Sequence, residues 1–472
     1  LREEQQWIPR TTAFLQPPRS DPDETGRWSN DCIRCHATHG RANIQRFADG
    51  ATYDAQDVNT RVAELGIACE ACHGPGEQHV AANRSPLRRY GQYWDDTGDD
   101  TIIHPGRLSH KQSAQVCGQC HGIFTTHNDE SLAELLQDGW RYRPGDDLDD
   151  SKLRFLNRCG RGTSEKERED WEHYFWSDGR VRVSGREYNG LVESPCFQDG
   201  DMSCLHCHRM HQSESDTRPA TEWANDQLDI GMAGNQACLQ CHTQMQDDAA
   251  LVAHTHHPVH SAGSRCYNCH MSYTTYGLLK AIRSHTIDSP DVATTLSTGR
   301  PNACNQCHLD RTLAWTANSL SDWYGIAAPE LTDEQQTVAA SILWTLKGDA
   351  GQRALMAWSF GWSDAQSASG TDWMAPYLAQ LLQDSYAAVR FIAFRSLRRV
   401  PGYLTVPYDF IGGDEHWTAV ADQVQGYWQS RREPIAPEKA AAVLMDPQRR
   451  IAQEQFDKLL QQRDQRPIDL FE

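Results

Sequence analysis

The chain has 472 residues, of which 23% are charged, and its formal net charge at pH 7 is -19. No run of about 18 apolar residues occurs, which excludes a membrane-spanning helix. The acidic balance argues against a nucleic-acid partner, because such a partner selects a basic face. The length allows two or three domains, so the 16 cysteines and 21 histidines are the most informative part of the composition.

The first predicted segment, residues 1–130, is an N-terminal arm followed by three copies of the pattern Cys-x-x-Cys-His, and four more copies follow residue 200. The first three are "CIRCH", "CEACH" and "CGQCH", and the last four are "CLHCH", "CLQCH", "CYNCH" and "CNQCH". Their cysteines are Cys32, Cys35, Cys69, Cys72, Cys117, Cys120, Cys204, Cys207, Cys238, Cys241, Cys266, Cys269, Cys304 and Cys307. Their histidines are His36, His73, His121, His208, His242, His270 and His308.

This pattern indicates covalent attachment of haem c. Two cysteines three positions apart can bond both vinyl groups of one porphyrin, and the histidine that follows becomes the proximal iron ligand. Zinc ribbons need pairs of such motifs, whereas seven is odd, and a redox dithiol needs a single motif. We therefore predict seven haem c groups. No copy has lysine in place of the histidine, so there is no sign of a lysine-ligated catalytic haem.

The location of the protein follows from this chemistry. Covalent haem attachment of this kind takes place outside the cytoplasmic membrane, yet the chain opens "LREEQQWIPR" without an apolar core segment. We expect a periplasmic or extracellular protein whose leader peptide has already been removed.

The second predicted segment, residues 131–200, is an insertion between the third and fourth motifs. Alternating apolar positions predict a β-hairpin, with Tyr174 to Trp176 in one arm, a turn at Asp178-Gly179, and Arg180 to Val183 in the other. The two remaining cysteines, Cys159 and Cys196, are expected to form a disulfide, with two separate buried thiols as the alternative.

The third predicted segment, residues 201–312, contains the last four motifs. Their first cysteines are only 34, 28 and 38 residues apart, which leaves little polypeptide for each haem. We therefore expect the porphyrins to form much of the core, with short helices and irregular loops around them.

The fourth predicted segment, residues 313–472, has no cysteine and reads as an α-helical domain. A capping box from Thr332 to Gln335 starts one helix. The apolar stripe of that helix consists of Val338, Ile342, Leu343 and Leu346. A helix pair follows, with a turn at Asp384-Ser385 and an inward face of Val389, Ile392, Ala393 and Leu397. Such pairs are typical of HEAT-like repeats. The tail, "RIAQEQFDKLLQQRDQR", predicts one more amphipathic helix.

Fourteen histidines lie outside the motifs, enough to give every iron a second axial ligand. The favoured candidates are His79, His211 and His285, and the further candidates are His39, His104, His110, His127 and the "HTHH" residues His254, His256 and His257. We expect only one histidine of "HTHH" to be needed at one iron. His206 lies inside its own attachment loop and is not expected to bind that haem, and His416 is expected to be structural.

The segments "CEACHGPGEQH", "CGQCHG", "MSCLHCHRMH" and "RPNACNQCHLD" resemble multihaem cytochromes c of the cytochrome c554-like class with a C-terminal helical-repeat domain of TPR or HEAT type. The resemblance implies closely stacked haems in parallel and perpendicular pairs. It also implies that His79, His211 and His285 are distal ligands, each to a haem other than its neighbour in sequence. Relatives in this wider class include electron carriers as well as enzymes that convert nitrite or hydroxylamine, and the count of seven matches neither group.

Three functions are open on this evidence. The first is an electron conduit between redox partner proteins, with mostly bis-histidine haems. The second is an enzyme of small nitrogen or sulfur compounds with one five-coordinate haem, for which Arg180, Arg182, Arg186 and Tyr188 could form a cationic pocket, unless the arginines pair with haem propionates. The third is a subunit of a cytochrome assembly or filament. We favour the first, with docking or homo-oligomerisation through the C-terminal helical domain.

Overall fold

The computed structural model describes residue 1 and residues 7–18, 28, 32–44, 58–95, 98–126, 129–150, 153–155, 173–431 and 435–470. Cys159 and His127 lie outside the described residues, so the predicted disulfide and one candidate ligand have no structural counterpart here. No described helix has the length and apolar character needed to cross a bilayer.

The chain forms two compact units that are discontinuous in sequence. The four-motif unit comprises Asp21–Asn157 and Gly185–Ala237 and contains the first four motifs. The three-motif unit comprises Leu1–Ser20, Arg158–Ser184 and Cys238–Glu472 and contains the last three motifs together with the C-terminal helices. Each unit therefore draws on more than one of the four segments predicted from the sequence.

The four-motif unit is built from short helices and irregular connections. Its α-helices are Ile33–His36, Cys69–His73, Glu77–Ala82, Pro86–Asp95, His110–His121, Asp129–Asp138, Glu187–Val192, Pro195–Gln198 and Ala220–Trp223. Its 3-10 helices are Pro105–Arg107, Leu148–Asp150 and Cys204–His206, and the helix Gln236–Leu239 lies where the two units meet in sequence. A small apolar cluster of Ala114, Tyr142, Leu148, Tyr188 and Leu191 forms its side-chain core.

The three-motif unit has the same character around its motifs and becomes regularly helical after residue 312. Its α-helices are Arg10–Ala13, Asp248–Thr255, Cys266–His270, Val292–Thr298, Ala303–Cys307, Leu313–Tyr324, Asp333–Thr337, Ala340–Leu346, Ala350–Phe360, Ser363–Ser369, Ala375–Leu381, Ala387–Leu397, Asp414–Ser430, Pro437–Ala442 and Gln453–Gln461. Its 3-10 helices are Thr243–Gln246 and Ala262–Ser264.

Strands are few and short in the described part of the chain. Antiparallel pairs join Ala37–Thr38 to Glu64–Leu65, Phe124–Thr126 to Leu153–Phe155, and Thr275–Gly277 to Lys280–Ile282. The predicted hairpin is confirmed: Phe175 pairs antiparallel with Val181, and the Trp176 N–H donates to the Arg180 carbonyl at 2.8 Å. The predicted fold class, mainly helical with much loop and a small hairpin, is confirmed.

The C-terminal helices bury the residues that the sequence pattern placed inward. Val389, Ile392, Ala393 and Leu397 are all buried, and the capping box at Thr332 is formed. The helix predicted after that box is interrupted, because the Ala339 N–H donates to the Ala442 carbonyl and the Ala340 N–H to the Arg311 carbonyl. These tertiary hydrogen bonds replace the helical ones and split the segment into Asp333–Thr337 and Ala340–Leu346. The HEAT-like character of the domain stays a prediction.

Candidate haem-attachment sites

Three of the seven motifs lie wholly on a helical turn. "CEACH" forms the helix Cys69–His73, "CYNCH" forms Cys266–His270, and "CGQCH" is the last turn of His110–His121. Residues at positions i, i+3 and i+4 share one face of a helix. Both cysteines and the histidine of such a motif therefore face the same side, as attachment to one porphyrin requires.

Several motif histidines are held in position by a hydrogen bond at Nδ1, the ring nitrogen that would not bind iron. The Nδ1 atom of His73 is 2.7 Å from the Ile103 carbonyl, that of His208 is 2.9 Å from the Asp226 carbonyl, and that of His270 is 2.8 Å from the Asp288 carbonyl. A backbone carbonyl can only accept, so each Nδ1 carries the proton. This tautomer leaves the lone pair of Nε2 free for a metal, the arrangement expected of an axial ligand.

His121 has a different partner. Its Nδ1 atom lies 2.9 Å from Oε2 of Glu187, a carboxylate on the helix Glu187–Val192. The hydrogen bond to Glu187 raises the pKa of His121, although burial opposes the shift. The third motif thus differs from the second, fourth and sixth, whose histidines meet backbone carbonyls.

Three motif histidines each have a second imidazole at the separation that one shared iron would give. The ring centres are 6.1 Å apart for His73 and His211, 6.0 Å for His270 and His254, and 6.1 Å for His308 and His257. Two imidazoles bound to one metal through bonds of about 2.0–2.1 Å have ring centres roughly 6 Å apart. The donor sets therefore fit haem iron with two axial histidines.

Burial keeps some of these imidazoles neutral, the form that binds a metal. Burial, and then the neighbouring His270, lowers the pKa of His254. Burial, and then His257, lowers the pKa of His308.

His73 has a second imidazole within reach, since the His104 ring centre is 6.4 Å away. His104 directly follows Ile103, whose carbonyl accepts from Nδ1 of His73. The His104 ring meets the His73 ring edge to face, with an angle of 75° between the planes, whereas the His211 ring is closer and tilted by 33°. His211 is therefore the better partner.

The "HTHH" segment places two of its histidines opposite motif histidines. Its residues His254 and His257 lie opposite two different motif histidines, while His256 stacks on Trp323 with ring centres 4.5 Å apart. His254 was not singled out among the three by sequence reasoning. The helix Asp248–Thr255 ends at His256 in a left-handed conformation, and this turn sends the flanking side chains to separate sites.

The remaining candidate histidines have protein partners. The Nδ1 atom of His79 is 2.9 Å from Asp99, the Nδ1 atom of His285 is 3.2 Å from the Arg283 carbonyl, and that of His110 is 3.5 Å from Asp201. His39 is partly buried with a positive φ of 49°. Among the described residues, no ring contact joins His39, His79 or His110 to a motif histidine.

The two histidines expected not to bind iron have structural partners. His206 closes a capping box with Ser203, and Nε2 of His416 accepts the Asp409 N–H at 2.9 Å.

Cysteines of different motifs meet inside each unit. In the four-motif unit the Cys35 thiol donates to the Cys120 carbonyl at 3.8 Å, and contact with Cys204 raises the pKa of Cys117. In the three-motif unit, contact with Cys238 lowers the pKa of Cys266 to about 7. The third motif thus touches both the first and the fourth, and the fifth touches the sixth.

Three side chains considered for a cationic pocket from the sequence have partners within their own units. Arg182 is buried in an ion pair with Asp349 at 2.5 Å and lies over the Trp176 ring, and Arg180 faces Asp288. Tyr188 packs in the apolar core of the four-motif unit. These side chains serve the protein scaffold.

Comparison with known proteins identifies the family of the chain. The sequence model of cytochrome c552 matches residues 12–261, more than half of the chain. The chain belongs to the cytochrome c552 family. Five of the seven motifs fall inside the matched region.

Two individual proteins are also similar to this family member. The cytochrome c nitrite reductase subunit NrfA of Nitratidesulfovibrio vulgaris is 24% identical over 237 residues, which are 48% of this chain and 42% of that protein. The chain thus matches about two fifths of that relative's length. The crystal structure of the outer cell wall cytochrome OcwA gives a TM-score of 0.36 at 17% identity, covering 79% of this chain and 76% of that one.

Proposed function

We propose that this cytochrome is a heptahaem electron-transfer protein that works between redox partners in the periplasm or outside the cell. The observation that carries the proposal is the three imidazole pairs with ring centres 6.0–6.1 Å apart. Once bound, a haem iron supplies one-electron chemistry. Two axial histidines leave that iron without an open position for a substrate, which favours electron transfer over catalysis.

We assign the axial ligands from these pairs. His73 and His211 would hold the second haem, His270 and His254 the sixth, and His308 and His257 the seventh. His79 remains a proposed distal ligand elsewhere, because its Nδ1–Asp99 contact fixes the ring in the way that carboxylates behind metal-binding histidines do. His285 is proposed in the same role.

Close packing of the haems is supported by the contacts between motifs. Each cysteine sulfur would be bonded to its own porphyrin, so the contacts of Cys35 with Cys120, and of Cys238 with Cys266, favour neighbouring porphyrin edges. Electrons could then pass within each unit without a diffusing carrier.

The alternative is an enzyme that reduces a small nitrogen compound at one five-coordinate haem. The likeness to the subunit named as a nitrite reductase favours it. It requires an iron with an open axial position, which distinguishes it from the conduit in a spectrum.

Replacement of His254 by alanine tests the assignment. We expect one low-spin haem to become high-spin and to bind cyanide or nitric oxide, as measured by electron paramagnetic resonance and optical titration. His256→Ala is the matched control, because this ring stacks on Trp323, and its spectrum should equal that of the wild type. The intact mass of each protein should show seven haem additions.

Two results would contradict parts of the proposal. One is a wild-type protein with a stoichiometric high-spin haem that binds and turns over nitrite, which would establish the enzyme instead. The other is an unchanged spin state in His254→Ala, which would remove the ligand assignment at the sixth haem.

A further inference from the structure

Three consecutive side chains of the helix Glu187–Val192 contact the third motif and the residues that follow it. The Asn189 side-chain oxygen accepts the buried N–H of Ile123 at 2.6 Å, two residues after the motif histidine. The Tyr188 ring covers Gly118, where an added Cβ would lie 2.8 Å from the ring carbons. Glu187 accepts from Nδ1 of His121 at 2.9 Å. This helix therefore fixes the third motif on both sides of its histidine.

The carboxylate of Glu187 is itself held in place. Its Oε1 atom accepts the Gly185 N–H at 2.9 Å, and Oε2 faces His121. With each oxygen directed at one N–H group, the side chain cannot turn away from the imidazole without losing a hydrogen bond.

A carboxylate differs in charge from the acceptors at other motifs. His73, His208 and His270 donate to neutral backbone carbonyls. Hydrogen bonds to a charged acceptor are stronger, and a carboxylate behind a ligating imidazole raises the basicity of that ligand. A more basic, partly anionic ligand stabilises the ferric over the ferrous state, because the ferric iron carries more positive charge.

We infer that Glu187 is a positioning residue that lowers the reduction potential of the third haem through His121. The inference rests on the proposed function, since it requires haem at Cys117 and Cys120. The step it affects is the gain of one electron by ferric iron to give ferrous iron, with no bond formed or broken.

This position matters within the four-motif unit. Cys120 meets Cys35 of the first motif, and Cys117 meets Cys204 of the fourth. A path that follows these two contacts from the first haem to the fourth passes the third. Glu187 would thus set the energy of the central step.

Glu187→Gln tests the inference in the fully loaded protein. Glutamine keeps an oxygen that can accept from His121 but removes the charge. Dithionite titration followed by electron paramagnetic resonance should show one low-spin haem whose reduction equilibrium constant rises at least ten-fold, which is about 59 mV for one electron. The axial ligands, and so the low-spin state, should be retained.

Two control variants separate charge from general loosening. Glu222→Gln removes an exposed carboxylate in the first turn of another helix of the same unit, and all potentials should equal those of the wild type. Asn189→Ala loosens the same helix without changing its charge, so the protein should unfold at a lower temperature and its potentials should shift less than those of Glu187→Gln.

Each unexpected result would overturn a different claim. Unchanged potentials in a fully loaded Glu187→Gln protein would overturn the inference while leaving the conduit intact, and equal shifts in Asn189→Ala and Glu187→Gln would overturn the role of charge. A wild-type mass without haem on Cys117 and Cys120 would instead overturn the proposed function at this motif, and the inference with it.

Discussion

The four-motif unit and the C-terminal helices of the three-motif unit are stabilised in different ways. In the former, polypeptide contacts leave Leu65, Leu87 and Trp94 more than three-quarters exposed. In the latter, large side chains such as Trp373 and Trp428 are almost completely buried. Buried apolar area is the main favourable term in folding. We therefore expect the four-motif unit to depend on its porphyrins and the C-terminal helices to depend on their own side chains.

The C-terminal helices also enclose a buried carboxylate that pairs with arginines. The described residues of the four-motif unit contain no equivalent. Asp384 is fully buried and accepts from Arg353 through both carboxylate oxygens, at 2.6 and 3.1 Å. Arg463 approaches the same carboxylate at 3.5 Å. Burial alone would raise the pKa of Asp384, but Arg353 and Arg463 lower it overall. An ionic group placed this deep requires a closed and specific packing around it.

Withholding haem should produce the largest contrast between the two regions. In protein made without haem-attachment machinery, we expect the amides of residues 58–95 and 98–126 to exchange rapidly, because without porphyrins the four-motif unit keeps only a small apolar side-chain cluster. The amides of Ala387–Leu397 and Asp414–Ser430 should stay protected. Hydrogen-exchange mass spectrometry measures both. Equal protection of both regions with and without haem would refute the comparison.

Asp384→Asn should destabilise the C-terminal helices by about 3–5 kcal/mol, because it leaves two buried arginines without a compensating charge. Chemical denaturation of the loaded protein measures this loss. Asp446→Asn, which removes the exposed pair with Arg450, should cost about 0–1 kcal/mol.

The same ion pair predicts a dependence on acid. Because the pKa of Asp384 is lower in the folded state, its stabilisation is complete above the ordinary value of about 3.9 and is lost as the pH falls toward the folded value. The gap in stability between wild type and Asp384→Asn should therefore shrink on acidification. A gap that does not change with pH would contradict this origin.

Gly118→Ala should have a smaller effect, confined to the four-motif unit. The new methyl would meet the Tyr188 ring at 2.8 Å, and such overpacking costs about 1–3 kcal/mol. Gly91→Ala is the matched control, because nothing lies within 4 Å of its Cβ and alanine favours a helix interior by about 0.5–1 kcal/mol. Thermal unfolding should thus shift in opposite directions for the two variants. A stabilising Gly118→Ala would show that Tyr188 can move aside.

The sequence by itself determined the features that depend on short spacings. The Cys-x-x-Cys-His positions face one side because a helical turn brings i, i+3 and i+4 together. The hairpin at Phe175 and Val181, the capping box at Thr332 and the burial of Ile392 follow equally from local patterns. Each of these depends on neighbours within a few residues, so local propensity and periodicity are sufficient to predict them.

Only the tertiary structure decided which distant groups meet. His211 lies opposite His73 across 138 positions of sequence, and Glu187 meets His121 across 66. No periodicity links such residues, because their approach depends on how the intervening chain folds around the motifs. The same holds for the break at Ala339, where a hydrogen bond to Ala442 overrides a continuous helical pattern. Long-range hydrogen bonds and ring contacts, which carry no local signature, therefore decided how the proposed ligands and the carboxylate of Glu187 are arranged around the motifs.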